Sequence, residues 1–371
     1  MLQSFHYQPS TYRPINVTNE TICERYKRYI NDSFRDGVIG RDRYCQYMGK
    51  ARRLQRFLCI IGQPNISANE FDINMLMTFR KFVTDEYLYV KKYRNLYPEH
   101  NRSRHRYPTK QMSNNSVVHE MKALKAFFSE LENTDEILKS PFRRLSNEKR
   151  RIMMHVMYNE PFFLRAEEFQ KVVDTQVDES LQEVKDRFVL NCCLGCRIGD
   201  FFHLSMDKIA VSPEGIPYIH YFPSKTKKLQ LTNREIQTPL VMTAFEIIAR
   251  TRFAFNHGNQ RYHTKLYNQK LPQLLELCGI NRKVCIYDHE LNDNVYVPLY
   301  SVATSRLARK THVDMMNKVQ VNIYAAGLHS LNSNAVNRYT NLELADRFAL
   351  MNVAFAQKPY KTDENLNIID I

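Results

Sequence analysis

Apolar positions recur at helical spacing along most of this chain. In "TICERYKRYINDSF", Ile22, Tyr26 and Ile30 fall on one face. "CQYMGKARRLQRFLCIIG" and "NEFDINMLMTFRKFVTDEYLYVKKY" carry the same period. The clearest helix runs from Ser116 to Leu131. There Val117, Met121, Leu124, Phe128 and Leu131 step by 4, 3, 4, 3 and make one apolar stripe. Ser116 has the side chain of an N-cap, and Lys122 and Lys125 fall off the stripe. The first twenty residues read as a loose, Pro-containing arm.

The pattern breaks in "SNEKRRIMMHVMYNEPFF", which opens polar and is interrupted by Pro161. A new helical period starts at "LRAEEFQKVV". A helix over Val177 to Leu194 carries Leu181, Val184 and Phe188 and stops at Gly195. Period-2 alternation appears in "GIPYIHYFPSKTKKLQLTNREIQTPLV" around a lysine-rich turn. It recurs in "VCIYDHELNDNVYVPL" around Asn292, Asp293 and Asn294, so both stretches predict β-hairpins. The expected layout is an arm (1–20), an all-α domain (21–150), a linker (151–162) and a mainly helical α+β domain with a small sheet (163–371).

Composition adds a partner. The net charge is +14 and the pI about 9.3. Nucleic acid is the commonest polyanion that such a surface meets, although a basic balance alone also fits an ordinary soluble protein. The charge is concentrated in Lys91 to Lys110, "KKYRNLYPEHNRSRHRYPTK", where Lys91, Lys92, Arg94, Arg102, Arg104 and Arg106 alternate with tyrosine and histidine. Such a segment can follow a phosphate backbone; the plain alternative is a solvated loop. No basic start followed by an apolar run marks a signal peptide, and no run of 18 apolar residues spans a membrane. The eight cysteines are expected as reduced thiols. Cys193 and Cys196 form a C-x-x-C with no partner pair to complete four zinc ligands, which favours core packing.

Four segments set isolated cations or a nucleophile in apolar surroundings. In "LNCCLGCRIGDFFHL", Arg197 follows a glycine turn; Asp200 either orients it or merely caps the helix with it. In "YFPSKTKKLQL", Lys225 sits at the hairpin mouth, as a solvated turn residue or as a cation reaching a cleft. In "ATSRLARKTHVDMM", Arg306 and Arg309 share a face at i, i+3, and Arg309 opens a helix. Guanidinium groups bind phosphate in a bidentate way, but the same face could be only solvated. In "AAGLHSLNSNAVNRYT", His329 precedes Tyr339 by one polar turn.

The order of these segments resembles the catalytic half of the tyrosine recombinases, the phage-integrase family. "GCRIGDFFHL" looks like its first arginine motif, "SRLARKT" like its His-x-x-Arg motif, and "AGLHSLNSNAVNRYT" like the turn that leads to its tyrosine. The wording is most similar to integrases of Bacteroidetes mobile elements. The match spans about Phe162 to Lys361, and "SNNSVVHEMKALKAFF" resembles the family's helical, SAM-like core-binding domain.

The resemblance implies metal-free and cofactor-free chemistry on double-stranded DNA. Tyr339 would attack the scissile phosphate and form a 3′-phosphotyrosine. Arg197 and Arg309 would grip the phosphate oxygens, and Lys225 would protonate the leaving 5′-oxygen. His329 would touch a non-bridging oxygen or position Tyr339, and Asp200 would hold the site. Arg306 stands where the family usually has histidine; arginine cannot act as a base near neutral pH, though it can stabilise phosphate charge. The family also implies a homo-tetramer on two DNA sites, accessory DNA-bending proteins, a bacterial cytoplasmic, nucleoid-associated location, and a C-terminal tail docked on a neighbouring protomer, with packing on its own domain as the alternative. A type IB topoisomerase-like nicking-closing enzyme and a catalytically silent DNA-binding protein are the rival readings.

Overall fold

The computed structural model describes residues 20–97, 107–157, 160–224, 235–256, 260–288, 291, 293–319 and 343–370. The chain divides into two compact units, Met1–Tyr158 and Asn159–Ile371.

The first unit is helical: α1 (Ile22–Arg35), α2 (Arg41–Ile60), α3 (Ile73–Lys92), α4 (Asn114–Asn133), α5 (Pro141–Arg144) and α6 (Asn147–Met154). Thr21 and Glu24 form a capping box at the start of α1, so two end amides find partners. Ile22, Tyr26 and Ile30 are fully buried, as the period required. They share a core with Leu54, Phe57, Phe79, Phe82 and the α4 stripe. The Phe57 ring lies 5.2 Å from Phe79 and 5.6 Å from Phe82. Such aromatic pairs add roughly 0.5–1.5 kcal/mol each beyond their buried area. A kink at Asp85 bends α3, and the Thr84 carbonyl accepts the Met112 amide at 2.9 Å.

Two boundaries differ from the sequence reading. Ser116 is not the N-cap of α4: the helix starts at Asn114, after Ser113. The Asn114 and Asn115 side chains donate to the carbonyls of His155 (2.9 Å) and Met157 (2.6 Å), which draws the helix start forward. The expected linker also loses residues 151–154 to α6. Ser146 caps that helix, Met153 is buried, and Arg150 donates to the carbonyls of Phe142, Arg143 and Leu145.

The second unit is built around α8 (Glu179–Leu194), which follows α7 (Ala166–Asp174). Eleven residues of α8 are buried, including Phe188, Cys192 and Cys193, because α7, α10, α11 and α12 all pack on it. Then come α9 (Ile198–Phe201), β1 (Ile209–Val211), β2 (Pro217–Tyr221), β3 (Ile236–Pro239), α10 (Met242–Thr251) and α11 (Gln260–Leu277). The remaining elements are β4 (Lys283–Asp288), β5 (Asp293–Pro298), α12 (Arg306–Val319), α13 (Leu344–Ala354), β6 (Lys361–Thr362) and β7 (Ile368–Asp370). Both expected hairpins form. β2 and β3 pair antiparallel with Ile219 opposite Thr238, β1 adds a third strand, and β4 and β5 pair from Lys283–Pro298 to Asp288–Asp293.

Of the two expectations for the tail, packing on its own unit is the one seen in this chain. Phe348, Met351, Phe355 and Tyr360 are buried in the unit's core, and the Tyr360 hydroxyl donates to the Leu240 carbonyl at 2.9 Å. Gln357 accepts from the Thr243 amide and hydroxyl, and the Thr362 amide donates to the Gly215 carbonyl. No helix among the described residues is long and apolar enough to cross a membrane.

Candidate functional site

The site begins where α8 ends. Gly195 caps that helix in the left-handed region, at φ 63°, where a side chain would be strained. The chain turns there, and Arg197 becomes the N-cap of α9. One turn later Asp200 is buried, while the Arg197 side chain is 40% exposed. Their ion contact is long, 4.0 Å from Nη1 to Oδ2. The closer partners of Asp200 are on Ser224, whose amide and hydroxyl donate to Oδ1 at 3.0 and 2.6 Å. These two donors offset the cost of burying a carboxylate. Asp200 therefore ties α9 to the chain leaving β2, and holds Arg197 only loosely.

Helix α12 supplies the second arginine. It starts at Arg306, one turn before the start expected at Arg309, and the Ser305 amide donates to Asn268 Oδ1 at 2.8 Å. Arg309 is partly buried and donates from Nη1 to the Gly195 carbonyl at 2.9 Å. That carbonyl belongs to the turn that carries Arg197, so both arginines are anchored at the end of α8. The negative end of a helix dipole favours cations there. Arg306 is exposed and has no ion pair among the described residues. Its charge lies beside Lys310, whose ammonium is held below its usual range by burial first and by Arg306 second. The Lys310 ammonium sits 4.2 Å over the Phe162 ring.

Sequence reasoning passed over three neighbours of these arginines. Tyr221, on β2, is buried, and burial pushes its hydroxyl far up, so it stays protonated. Ser224 was hidden because its partner lies 24 positions away. His312 donates from Nδ1 to the Cys192 carbonyl at 2.9 Å; its spacing of three from Arg309 was the available signal. Cys192, Cys193 and Cys196 are buried, and burial pushes all three thiols up, so they pack as apolar groups. Among the described residues no cluster of His, Cys, Asp and Glu is arranged to hold a metal ion. Lys225, His329 and Tyr339 lie outside the described residues.

In the first unit, Lys91, Lys92 and Arg94 are exposed at and just past the end of α3, and Lys122 and Lys125 lie on the exposed face of α4. Arg102, Arg104 and Arg106 are outside the described residues. A groove of about 880 Å³ runs between α2 and α4, with Arg43, Lys50, Arg52, Arg53, Arg56 and Lys122 on its walls. The run "KARRLQR" could have pointed to it, but the wall from α4 could not be placed from sequence. Two buried carboxylates lie beneath: Arg53 contacts Glu86 (2.7 Å) and Glu120 (2.9 Å), and Arg56 contacts Glu86 (2.6 Å). Burial opposes the charge of Arg53, but Glu120 and Glu86 outweigh it and hold the guanidinium protonated. Arg43, Arg52 and Lys122 are exposed and carry no such pairing among the described residues.

No family model matches the chain, and no curated protein matches it in sequence. Solved structures do. A lambda integrase dimer bound to a COC' core site superposes with a TM-score of 0.51 at 12% identity, over 88% of this chain and 96% of that one. The Tn1549 transposon integrase in complex with circular intermediate DNA gives a TM-score of 0.50 at 14% identity, over 90% and 99%. The chain shares the fold of these integrases: among the described residues, a helical first unit, then a mainly helical unit with small sheets.

Proposed function

We propose that this chain is a site-specific tyrosine recombinase that cleaves and rejoins double-stranded DNA, for integration or excision of a mobile element. The observation that carries the reading is the pair Arg197 and Arg309, gathered at one helix end with no carboxylate in close contact among the described residues. That is what a phosphate clamp needs: fixed cations whose charge is not already spent. The Tyr339 oxygen attacks phosphorus, the bond from phosphorus to the 5′-oxygen breaks, and a proton from Lys225 goes to that oxygen. The energy stays in the phosphotyrosine, so rejoining is the reverse step. His329 helps hold the phosphate or Tyr339. The phenolic proton leaves to a base other than Arg306. The cationic groove of the first unit, with Lys91, Lys92, Arg94 and Lys125, tracks the DNA backbone. Four protomers on two sites, helped by DNA-bending proteins, would complete the reaction at the bacterial nucleoid.

A nicked suicide substrate tests this. Cleavage near the nick should trap a covalent protein–DNA adduct that is absent in Tyr339→Phe. Exchange between two such sites then separates a recombinase from a nicking-closing enzyme. The exposed Arg306, in the place of a histidine, favours a second reading, a DNA-binding protein without cleavage. Tight binding of the cognate site with no adduct would support it.

A further inference from the structure

The last carbonyls of a helix have no partner within the helix. At the end of α8 one such group, the carbonyl of Cys192, and the carbonyl of the capping Gly195 are met by two side chains from one face of α12. His312 donates to the first and Arg309 to the second, both at 2.9 Å. A carbonyl oxygen only accepts, so the assigned bond places the imidazole hydrogen on Nδ1. The ring lies flat against the helix end. A Cβ built on Gly195 would stand 2.4 Å from His312 Cδ2 and 2.8 Å from Nε2, so only glycine fits beneath it. Phe355, just beyond α13, closes the other side with its ring centre 5.9 Å away. Burial, and then Arg309, hold the imidazole below its usual pKa, so it stays neutral and adds no charge beside the clamp.

We propose that His312 is a positioning residue for the phosphate clamp: its bond to the Cys192 carbonyl and its seat over Gly195 fix α12 against the end of α8, so that Arg309 stays beside Arg197. The inference rests on the recombinase reading. Arg309 uses one of its five N–H donors on the Gly195 carbonyl and keeps the others for phosphate oxygens. Without His312, Arg309 alone among the described side chains of α12 bonds the end of α8, so the register of the two helices is less tightly set there, and a shift of about 1 Å at a reacting centre can cost on the order of 100-fold.

The test is single-turnover cleavage of two suicide substrates, one with a scissile phosphodiester and one with a neutral methylphosphonate there. His312→Phe keeps a ring but loses the donor. It should slow cleavage of the diester roughly 10- to 100-fold with DNA affinity unchanged within about twofold. His312→Asn, whose amide nitrogen can stand in for Nδ1, should recover most of the rate. The loss should shrink on the methylphosphonate, which lacks the charge that the clamp neutralises. In an Arg309→Ala background His312→Phe should cost nothing more, because coupled residues are not additive. Equal losses on both substrates, additive with Arg309→Ala and not recovered by Asn, would overturn the proposal. If His312→Phe does not fold, His312→Gln takes its place, since its amide reaches the Nε2 position instead, and it must show the same selective loss. Absence of any adduct with the unaltered protein would instead remove the recombinase reading itself.

Discussion

Arginines in the first unit and at the site of the second are held in opposite ways. In the helical unit, Arg53 and Arg56 close on Glu86, whose side chain is fully buried, and Arg25 closes on Glu136 at 2.6 Å. Their charge is neutralised inside the fold. The second unit uses the same device away from the site, in Arg250–Asp186 and Arg282–Glu168, both at 2.8 Å. At the site it does not. Arg309 is steadied by a neutral carbonyl, and Asp200 gives its near contacts to Ser224 and leaves Arg197 at 4.0 Å. A carboxylate fixes a guanidinium and cancels it; a carbonyl fixes it and leaves the charge for an anion. This difference separates structural arginines from those poised for a phosphate.

The sharpest way to break the contrast is to remove the partner from each kind. Glu86→Gln leaves two half-buried arginines without their shared counter-charge, and breaking a buried pair costs roughly 3–5 kcal/mol. The first unit should melt earlier in calorimetry, and the transition of the second should stay in place. Arg309→Ala should do the reverse. It should lower adduct formation by about 10²–10³-fold, the effect of deleting one donor at a developing anion, with little change in melting temperature. If Arg309→Ala destabilises as much as Glu86→Gln, the distinction fails. The smallest effect is at the groove. Arg52→Ala and Lys122→Ala, which remove exposed cations, should each reduce the slope of log affinity against log salt by about 1. Arg53→Ala should leave that slope nearly unchanged, because its charge is already paired.

Much of the architecture was legible in the sequence, wherever the deciding interactions are local. The stripe of Val117, Met121, Leu124, Phe128 and Leu131 is buried as its period required. Gly195 ends α8 as a helix-stopping glycine should, and both strand pairs form, although Asp293 and Asn294, expected at the second turn, are paired in β5 with Asp288 and Tyr287. The readings that moved were those in which a distant group outvoted a local signal. Ser116 lost the N-cap because Asn114 and Asn115 found carbonyls more than forty positions away. Asp200 looked like the partner of Arg197 at i, i+3, yet Ser224 holds it more closely. The tail had an apolar face but no address, and only the packed unit shows that the face lies on its own core.

The sequence by itself determined the periods, the stops and the order of the cations, because a helix face or a turn depends on neighbours a few residues apart. Tertiary structure decided which cations stay unspent. Arg53 and Arg309 read alike as basic residues on amphipathic helices. What sets them apart is a carboxylate 33 positions from one and a glycine carbonyl 114 positions from the other. Charge compensation acts through space, over contacts that chain order does not encode.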